Sequence, residues 1–143
     1  EFAIVLPLFL TLVLGILEIG RSLETSTTMY AALGEAGRLA GQDYQPLLSS
    51  GTTINAKVEQ DIRNFLPASG LDGDDFDITI EHADVGSAGS TFDLSDADNQ
   101  LQLFKLTAEV EYSEISIFPF EFMAGQTLRS ALVFRMGRVQ LVD

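Results

Sequence analysis

With 143 residues, the chain has room for one domain and an appended helix rather than for two full domains. Its formal net charge of -13 excludes nucleic-acid binding, because such a surface would repel the phosphates of a polyanion. The absence of cysteine excludes a disulfide framework, a thiolate zinc site and a cysteine nucleophile.

The chain begins with an apolar run. No ionisable side chain occurs from Phe2 to Leu17, and this run would form a helix about 24 Å long. A bilayer core of about 30 Å needs roughly 20 residues, so Glu18 to Gly20 or an upstream segment would have to complete the crossing. Because no A-x-A-like cleavage site follows, the pattern predicts a retained membrane helix rather than a signal peptide.

The helix is predicted to continue beyond this run, since no proline occurs between Glu18 and Gly41. Small residues recur along it at Gly15, Gly20, Ser22, Ser26, Ala31, Gly34, Gly37 and Gly41. Gly37 and Gly41 have the G-x-x-x-G spacing that lets two helices approach closely. Two interpretations remain: packing between subunits, or packing of the helix on its own domain. The helix is expected to end after residues 43–46.

A second helix is predicted next, with Thr52 or Thr53 as its N-cap. Apolar residues recur every three to four positions, at Ile54, Val58, Ile62 and Phe65. Pro67 and Gly70 are expected to end this helix. Three stretches then alternate apolar and polar residues as strands do, at residues 76–81, 104–112 and 130–142.

The predicted fold class is therefore α+β. A long N-terminal hydrophobic helix, residues 1–45, precedes a small domain, residues 46–143. In that domain a short helix packs on an antiparallel sheet of about three strands. Residues 85–100 are expected to form a long acidic loop.

The N-terminal motifs resemble a known family. The chain is similar to the start of TadE-like proteins, the pseudopilins of tight-adherence (Flp) pili, in having Glu1-Phe2-Ala3, Pro7, Gly15, Glu18 and Gly20-Arg21. An element similar to the family's A-x-E-G-A-R follows at residues 32–38, with the spacing between Glu35 and Arg38 kept. The resemblance covers about the first 40 residues well, and the rest only as a pattern of length and strands.

The resemblance implies a non-enzymatic type IV pilin-like subunit. Such a protein enters the bacterial inner membrane by its apolar helix and is processed by a prepilin peptidase. The pilus assembly machinery then builds it into an extracellular, homo-oligomeric helical filament involved in adhesion. The residues expected to serve subunit packing are Glu1, Phe2, Pro7, Gly15, Glu18, Gly20, Arg21, Gly34, Glu35, Gly37, Arg38 and Gly41.

Two of these residues have more specific expectations. In related pilins an acidic side chain near the mature N-terminus neutralises the terminal ammonium of a neighbouring subunit, and Glu1 is the candidate here. The alternative for Glu1 is an acid at a membrane interface. Pro7 lacks the N–H that would bond the carbonyl of Ala3, so the helix is predicted to kink or loosen there. Simple tolerance of proline near a helix N-terminus is the alternative.

A second function class stays open, namely a minor membrane-anchored pseudopilin or accessory binding module that primes or caps assembly. No nucleophile constellation, phosphate loop or carboxylate pair predicts an enzyme, and no cofactor is expected. The acidic segments 72–77 and 93–99 offer oxygen ligands of the kind that calcium prefers, but they lack the EF-hand spacing and are expected to be solvated.

Further on, Phe118, Phe120 and Phe122 are predicted to fill the core or to contact another subunit.

Overall fold

The computed structural model describes residues 2–41, 51–117, 123 and 125–137, with Ala3 described by its backbone only. Its helices are α1 (Phe2–Ala40), α2 (Ile54–Phe65) and α3 (Tyr112–Ile115), and its strands are β1 (Asp77–His82), β2 (Leu103–Glu111) and β3 (Thr127–Arg135). The strands form one antiparallel sheet in the order β1-β2-β3. The predicted α+β fold, with its long helix, short helix and three strands, is confirmed.

The core lies between one face of the sheet and the two longer helices. Alternation along β2 places Phe104, Leu106, Ala108 and Val110 on the buried face. The register continues this face across the sheet, because Phe104 lies opposite Phe134 and Leu106 lies opposite Leu132. The helices cover it with Met29, Leu33, Ala36, Ala40, Ile54, Val58 and Ile62. The side-chain hydroxyl of Thr53 caps α2 by accepting the N–H of Ala56, as one of the two predicted caps.

Several element boundaries differ from the prediction. β1, β2 and β3 begin at Asp77, Leu103 and Thr127 rather than at residues 76, 104 and 130, and β1 ends at His82 rather than at residue 81. α1 ends at Ala40, and residues 42–50, where the end was expected, lie outside the described residues. Tyr112 begins α3 instead of ending β2. β3 ends at Arg135 rather than at residue 142. Beyond Arg135 the regular pairing with β2 stops, because the chain before β2 turns at Leu101, whose φ is 65°. The Leu101 N–H donates to the Met136 carbonyl there, outside the paired strands.

Residues 85–100 form no strand, but the expectation of a solvated loop is wrong for three of them, Phe92, Leu94 and Asn99, which are buried. Phe92 and Leu94 are fully buried in the core. The Asn55 side chain holds both, because its Nδ2 donates to the Phe92 carbonyl at 2.6 Å and its Oδ1 accepts the Leu94 N–H at 2.9 Å. The acidic side chains of the same segment, Asp93, Asp96 and Asp98, are exposed as expected. The loop is thus fastened to α2 by its apolar residues and one amide.

Candidate functional site: the junction between helix and domain

The two halves of α1 have opposite surroundings. In the protruding half, residues 2–17, the exposed apolar side chains are Phe2, Ile4, Val5, Leu6, Leu8, Phe9, Leu10, Leu12, Ile16 and Leu17. In the packed half, residues 25–40, Met29 and Leu33 are fully buried against the domain. Monomeric soluble proteins rarely expose an apolar surface as large as the protruding half. This half therefore needs a cover of lipid or protein.

By length and composition, α1 is the one helix in the described parts of the chain that can cross a membrane, over Ile4–Ala40. It runs through Pro7 as one continuous helix. The Thr11 hydroxyl donates to the Pro7 carbonyl at 2.9 Å, within this turn. Phe2 lies at the exposed end, whereas Glu1 lies outside the described residues.

Glu18 is buried where α1 meets the domain. Only 2% of its surface is exposed, and neither carboxylate oxygen has a hydrogen-bond partner among the described residues. The Tyr112 hydroxyl donates to the backbone carbonyl of Glu18 at 3.3 Å. Burial, and after it the negative charge of Glu18, raises the pKa of Tyr112. A buried carboxylate without partners costs several kcal/mol as an ion, so folding of one chain alone does not explain this residue.

Arg21, one helical turn further on, fastens α1 to the domain. Its Nε donates to the carbonyl of Ile115 at 3.4 Å, and its Nη2 donates to the carbonyl of Gly70 at 3.4 Å. Its Nη1 also lies 3.3 Å from the exposed Glu24 carboxylate. Because Ile115 and Gly70 belong to two separate segments of the domain, Arg21 helps to hold the direction in which the protruding half leaves the domain.

A groove of about 500 Å³ lies beside these residues. Its lining is mostly apolar and comprises Ile16, Leu17, Glu18, Gly20, Arg21, Glu24, Tyr112 and Ile117. Gly20 adds to the open space, because a Cβ at this position would meet no atom within 4 Å. The groove joins the exposed helix surface to the domain.

The glycines of α1 fall into two groups. A Cβ at Gly37 would lie 2.2 Å from the ring of Phe134, so Gly37 lets β3 approach the helix within one chain. Gly34 faces Leu132 of the same strand, at 3.9 Å from a Cβ. In contrast, Gly15 and Gly20 face open space. Packing within one chain thus accounts for Gly37, whereas packing between subunits at Gly15 and Gly20 stays a prediction.

Glu35 and Arg38 form an exposed ion pair, with Arg38 Nη2 2.6 Å from Glu35 Oε1. The hydrogen bond from Arg38 lowers the pKa of Glu35. Exposed pairs of this kind stabilise a fold little.

Gly41 lies directly after the end of α1, and its N–H donates to the Gly37 carbonyl at 3.3 Å. For all the residues named from the motifs, a role in subunit contacts stays a prediction.

Sequence reasoning missed the domain side of the junction. The alternating pattern predicts Tyr112 in a strand, although it begins α3 and its hydroxyl donates to the backbone carbonyl of Glu18. The sequence feature that could have indicated this part of the junction is the apolar segment that starts at Ile115. Ile117 of this segment lines the groove. Phe118, Phe120 and Phe122 of this segment lie outside the described residues. Within the described ranges, no three His, Asp or Glu side chains come together as a metal site would require.

Comparison with known proteins gives one family. Residues 1–38 match the family described as TadE-like protein, whereas no curated protein and no solved structure matches the chain. The matched segment contains the whole protruding half, Glu18 and Arg21. TadE-like proteins are a structural, pilus-related family. The resemblance drawn from the motifs is therefore confirmed over residues 1–38, where the chain is similar to TadE-like proteins.

Proposed function

We propose that this chain is a structural subunit that polymerises through α1 into an extracellular Tad-like pilus filament involved in adhesion. The contrast between the halves of α1 is the observation that carries the proposal. The packed half is already buried by its own domain, so it fixes one end of the helix. The protruding half exposes apolar side chains over about 24 Å, most of a membrane crossing, and copies packed side by side would cover them.

The same surface serves two successive stages. Before assembly, lipid of the inner membrane covers the protruding half, and a prepilin peptidase processes the chain there. During assembly, the machinery exchanges lipid for neighbouring copies, which cover the same side chains. The acidic domain stays outside the core, where it carries most of the chain's net charge of -13 and keeps the filament solvated.

The proposed contact residues divide by position. Phe2, Gly15 and Gly20 lie on the exposed part of α1 and would touch other copies. Glu1 would neutralise a neighbour's terminal ammonium. Glu18 is the described residue with the clearest need of a partner, since its buried carboxylate accepts no hydrogen bond from the described chain. The division of the chain near residue 45 also stays a proposal.

Electron microscopy of the sheared cell-surface fraction, with mass spectrometry of the subunits, tests the proposal. We expect filaments built mainly of this chain. Leu10→Asp, a charge in the protruding half, should abolish them because an ion in the apolar core is costly. Val133→Asp is the matched control: Val133 is 55% exposed and Leu10 is 49% exposed, but Val133 belongs to the domain, so filaments should persist.

The alternative function has its own result in this experiment. A chain that stays in the membrane fraction and occurs in filaments only in traces would be a minor pseudopilin or accessory. The proposal of a main filament subunit would then be wrong.

A further inference from the structure

The exposed surface of α1 stays uncharged past the end of the protruding half. Glu18 interrupts the apolar sequence, but the domain buries its side chain. The first exposed charge along the helix is therefore the Arg21–Glu24 pair, where the side chain of Glu24 is 62% exposed. Charged groups stay at the level of the lipid headgroups, so the edge of a bilayer fits α1 near these two residues.

The groove at the junction lies on the hydrocarbon side of this level. Ile16 and Leu17 precede Arg21 by five and four residues, which is about 6–7.5 Å along the helix. Ile117 faces them from the domain and is 68% exposed. The domain thus presents an apolar side chain at a depth where lipid tails, and not water, surround the helix.

We propose that this groove holds the acyl chain of a phospholipid while the protein is in the membrane. The groove volume of about 500 Å³ falls within the range of small-ligand sites, roughly 300–1,000 Å³. The guanidinium of Arg21 lies at the headgroup end, where its charge complements a lipid phosphate. The acids that face the same groove are Glu24, which is exposed and paired with Arg21, and Glu18, whose carboxylate is buried.

A lipid fits the groove better than a second copy does at this stage. The groove is continuous with the surface that the bilayer covers. Its apolar side chains lie on the side of the lipid tails, and its guanidinium lies on the side of the lipid phosphates. The inference rests on the membrane stage of the proposed function and does not require filament formation.

The absence of tryptophan from the chain makes a direct test possible. Ile117→Trp and Val133→Trp each place a single tryptophan at an exposed apolar position. Each full-length variant is reconstituted into phosphatidylcholine–phosphatidylglycerol vesicles whose acyl chains are brominated near the headgroup. We expect the tryptophan at 117 to emit at short wavelength and lose most of its fluorescence to bromine. The tryptophan at 133 should emit at long wavelength and keep its fluorescence.

A second pair of variants separates the groove from general contact with the bilayer. In the Ile117→Trp background, Gly20→Leu fills the groove and should reduce the quenching. Gly15→Leu adds the same side chain where nothing lies within 4 Å, but outside the groove lining, and should leave the quenching unchanged. Equal quenching in the two variants would overturn the assignment of the groove.

Flotation of the vesicles distinguishes the failure of this inference from that of the proposed function. Protein that floats with the vesicles while the tryptophan at 117 stays unquenched contradicts the acyl-chain site alone. Short-wavelength emission without quenching would show cover by a second copy, and it overturns the lipid assignment. Protein that does not float contradicts both the membrane stage and the lipid site.

Discussion

The two halves of α1 belong to one helix, yet apolar residues serve different purposes in each. In the packed half the buried residues recur on one face, with Glu35 and Arg38 on the exposed side. In the protruding half nearly every side chain is apolar, whichever way it points. A helix that is apolar on all sides has to be surrounded by lipid or protein, whereas a helix that is apolar on one face has to be buried on that face only. The width of the apolar surface therefore distinguishes assembly from folding.

The largest expected effect comes from matched truncations in the two halves. Leu33→Ala removes a fully buried side chain and should lower the free energy of unfolding of the domain by about 2–5 kcal/mol. Leu10→Ala should leave that free energy unchanged, because Leu10 contacts no part of the domain core. Urea unfolding of the full chain in mild detergent, followed by tyrosine fluorescence, measures both. Equal losses would break the distinction between the halves.

A smaller effect is expected from alanine at two glycines. Gly37→Ala should lower the free energy of unfolding by about 1–3 kcal/mol, because its Cβ would enter the ring of Phe134. Gly20→Ala should raise it by up to about 1 kcal/mol, since alanine favours the helix and meets no neighbour. The same unfolding measurement applies. Adding Phe134→Leu to Gly37→Ala should recover part of the loss, and no recovery would contradict the close approach of Phe134.

The anchored loop gives a third test, on the domain side of the comparison. Asn55→Ala removes both hydrogen bonds to the Phe92–Leu94 backbone and should cost about 1–3 kcal/mol of the unfolding free energy. Asn64→Ala, an exposed substitution near the other end of α2, is the control and should cost little. Hydrogen exchange at the Leu94 amide should be faster in Asn55→Ala. Unchanged exchange would mean that the amide does not hold the loop.

The smallest effect concerns pH. Hydrogen bonds from the Ser95 hydroxyl and N–H lower the pKa of Asp93 in the folded state. This carboxylate therefore adds stability above its unfolded pKa of about 3.9, and the contribution is lost as the pH falls through the lower folded pKa. Asp93→Asn should be slightly less stable than the parent at neutral pH and equal to it in strong acid. Ser95→Ala should follow the same pH dependence, and a difference that grows in acid would contradict the assignment.

The sequence predicted the elements whose residues follow a clear period. The four-residue rhythm of α2 and the alternation in β2 each predict one buried face. The structure confirms the face of β2 and, in α2, the burial of Ile54, Val58 and Ile62, whereas Phe65 is 39% exposed. The exposed apolar helix of the protruding half could be predicted from its uninterrupted apolar run. These features depend on neighbouring residues, so a single sequence is sufficient to identify them.

The parts that were missed depend on contacts between distant residues. Phe92 and Leu94 lie in an acidic segment, and their burial depends on distant partners: the Asn55 amide bonds their backbone, and the ring of Phe92 packs on His82 and Phe104. The Gly37–Phe134 contact likewise joins opposite ends of the chain. The hydrogen bond to the Glu18 backbone comes from Tyr112, whose position at the start of α3 has no periodic signal. Local patterns carry no information on such pairs.

Thiol labelling of sheared filaments, freed of membrane, tests the central claim most directly. The chain contains no cysteine, so Leu10→Cys and Val133→Cys each introduce one defined probe. If the protruding halves pack together, Leu10→Cys filaments should react with a maleimide only after dissociation in detergent, whereas Val133→Cys filaments should react throughout. Equal labelling of the two positions in intact filaments would show that the protruding half is not the assembly surface.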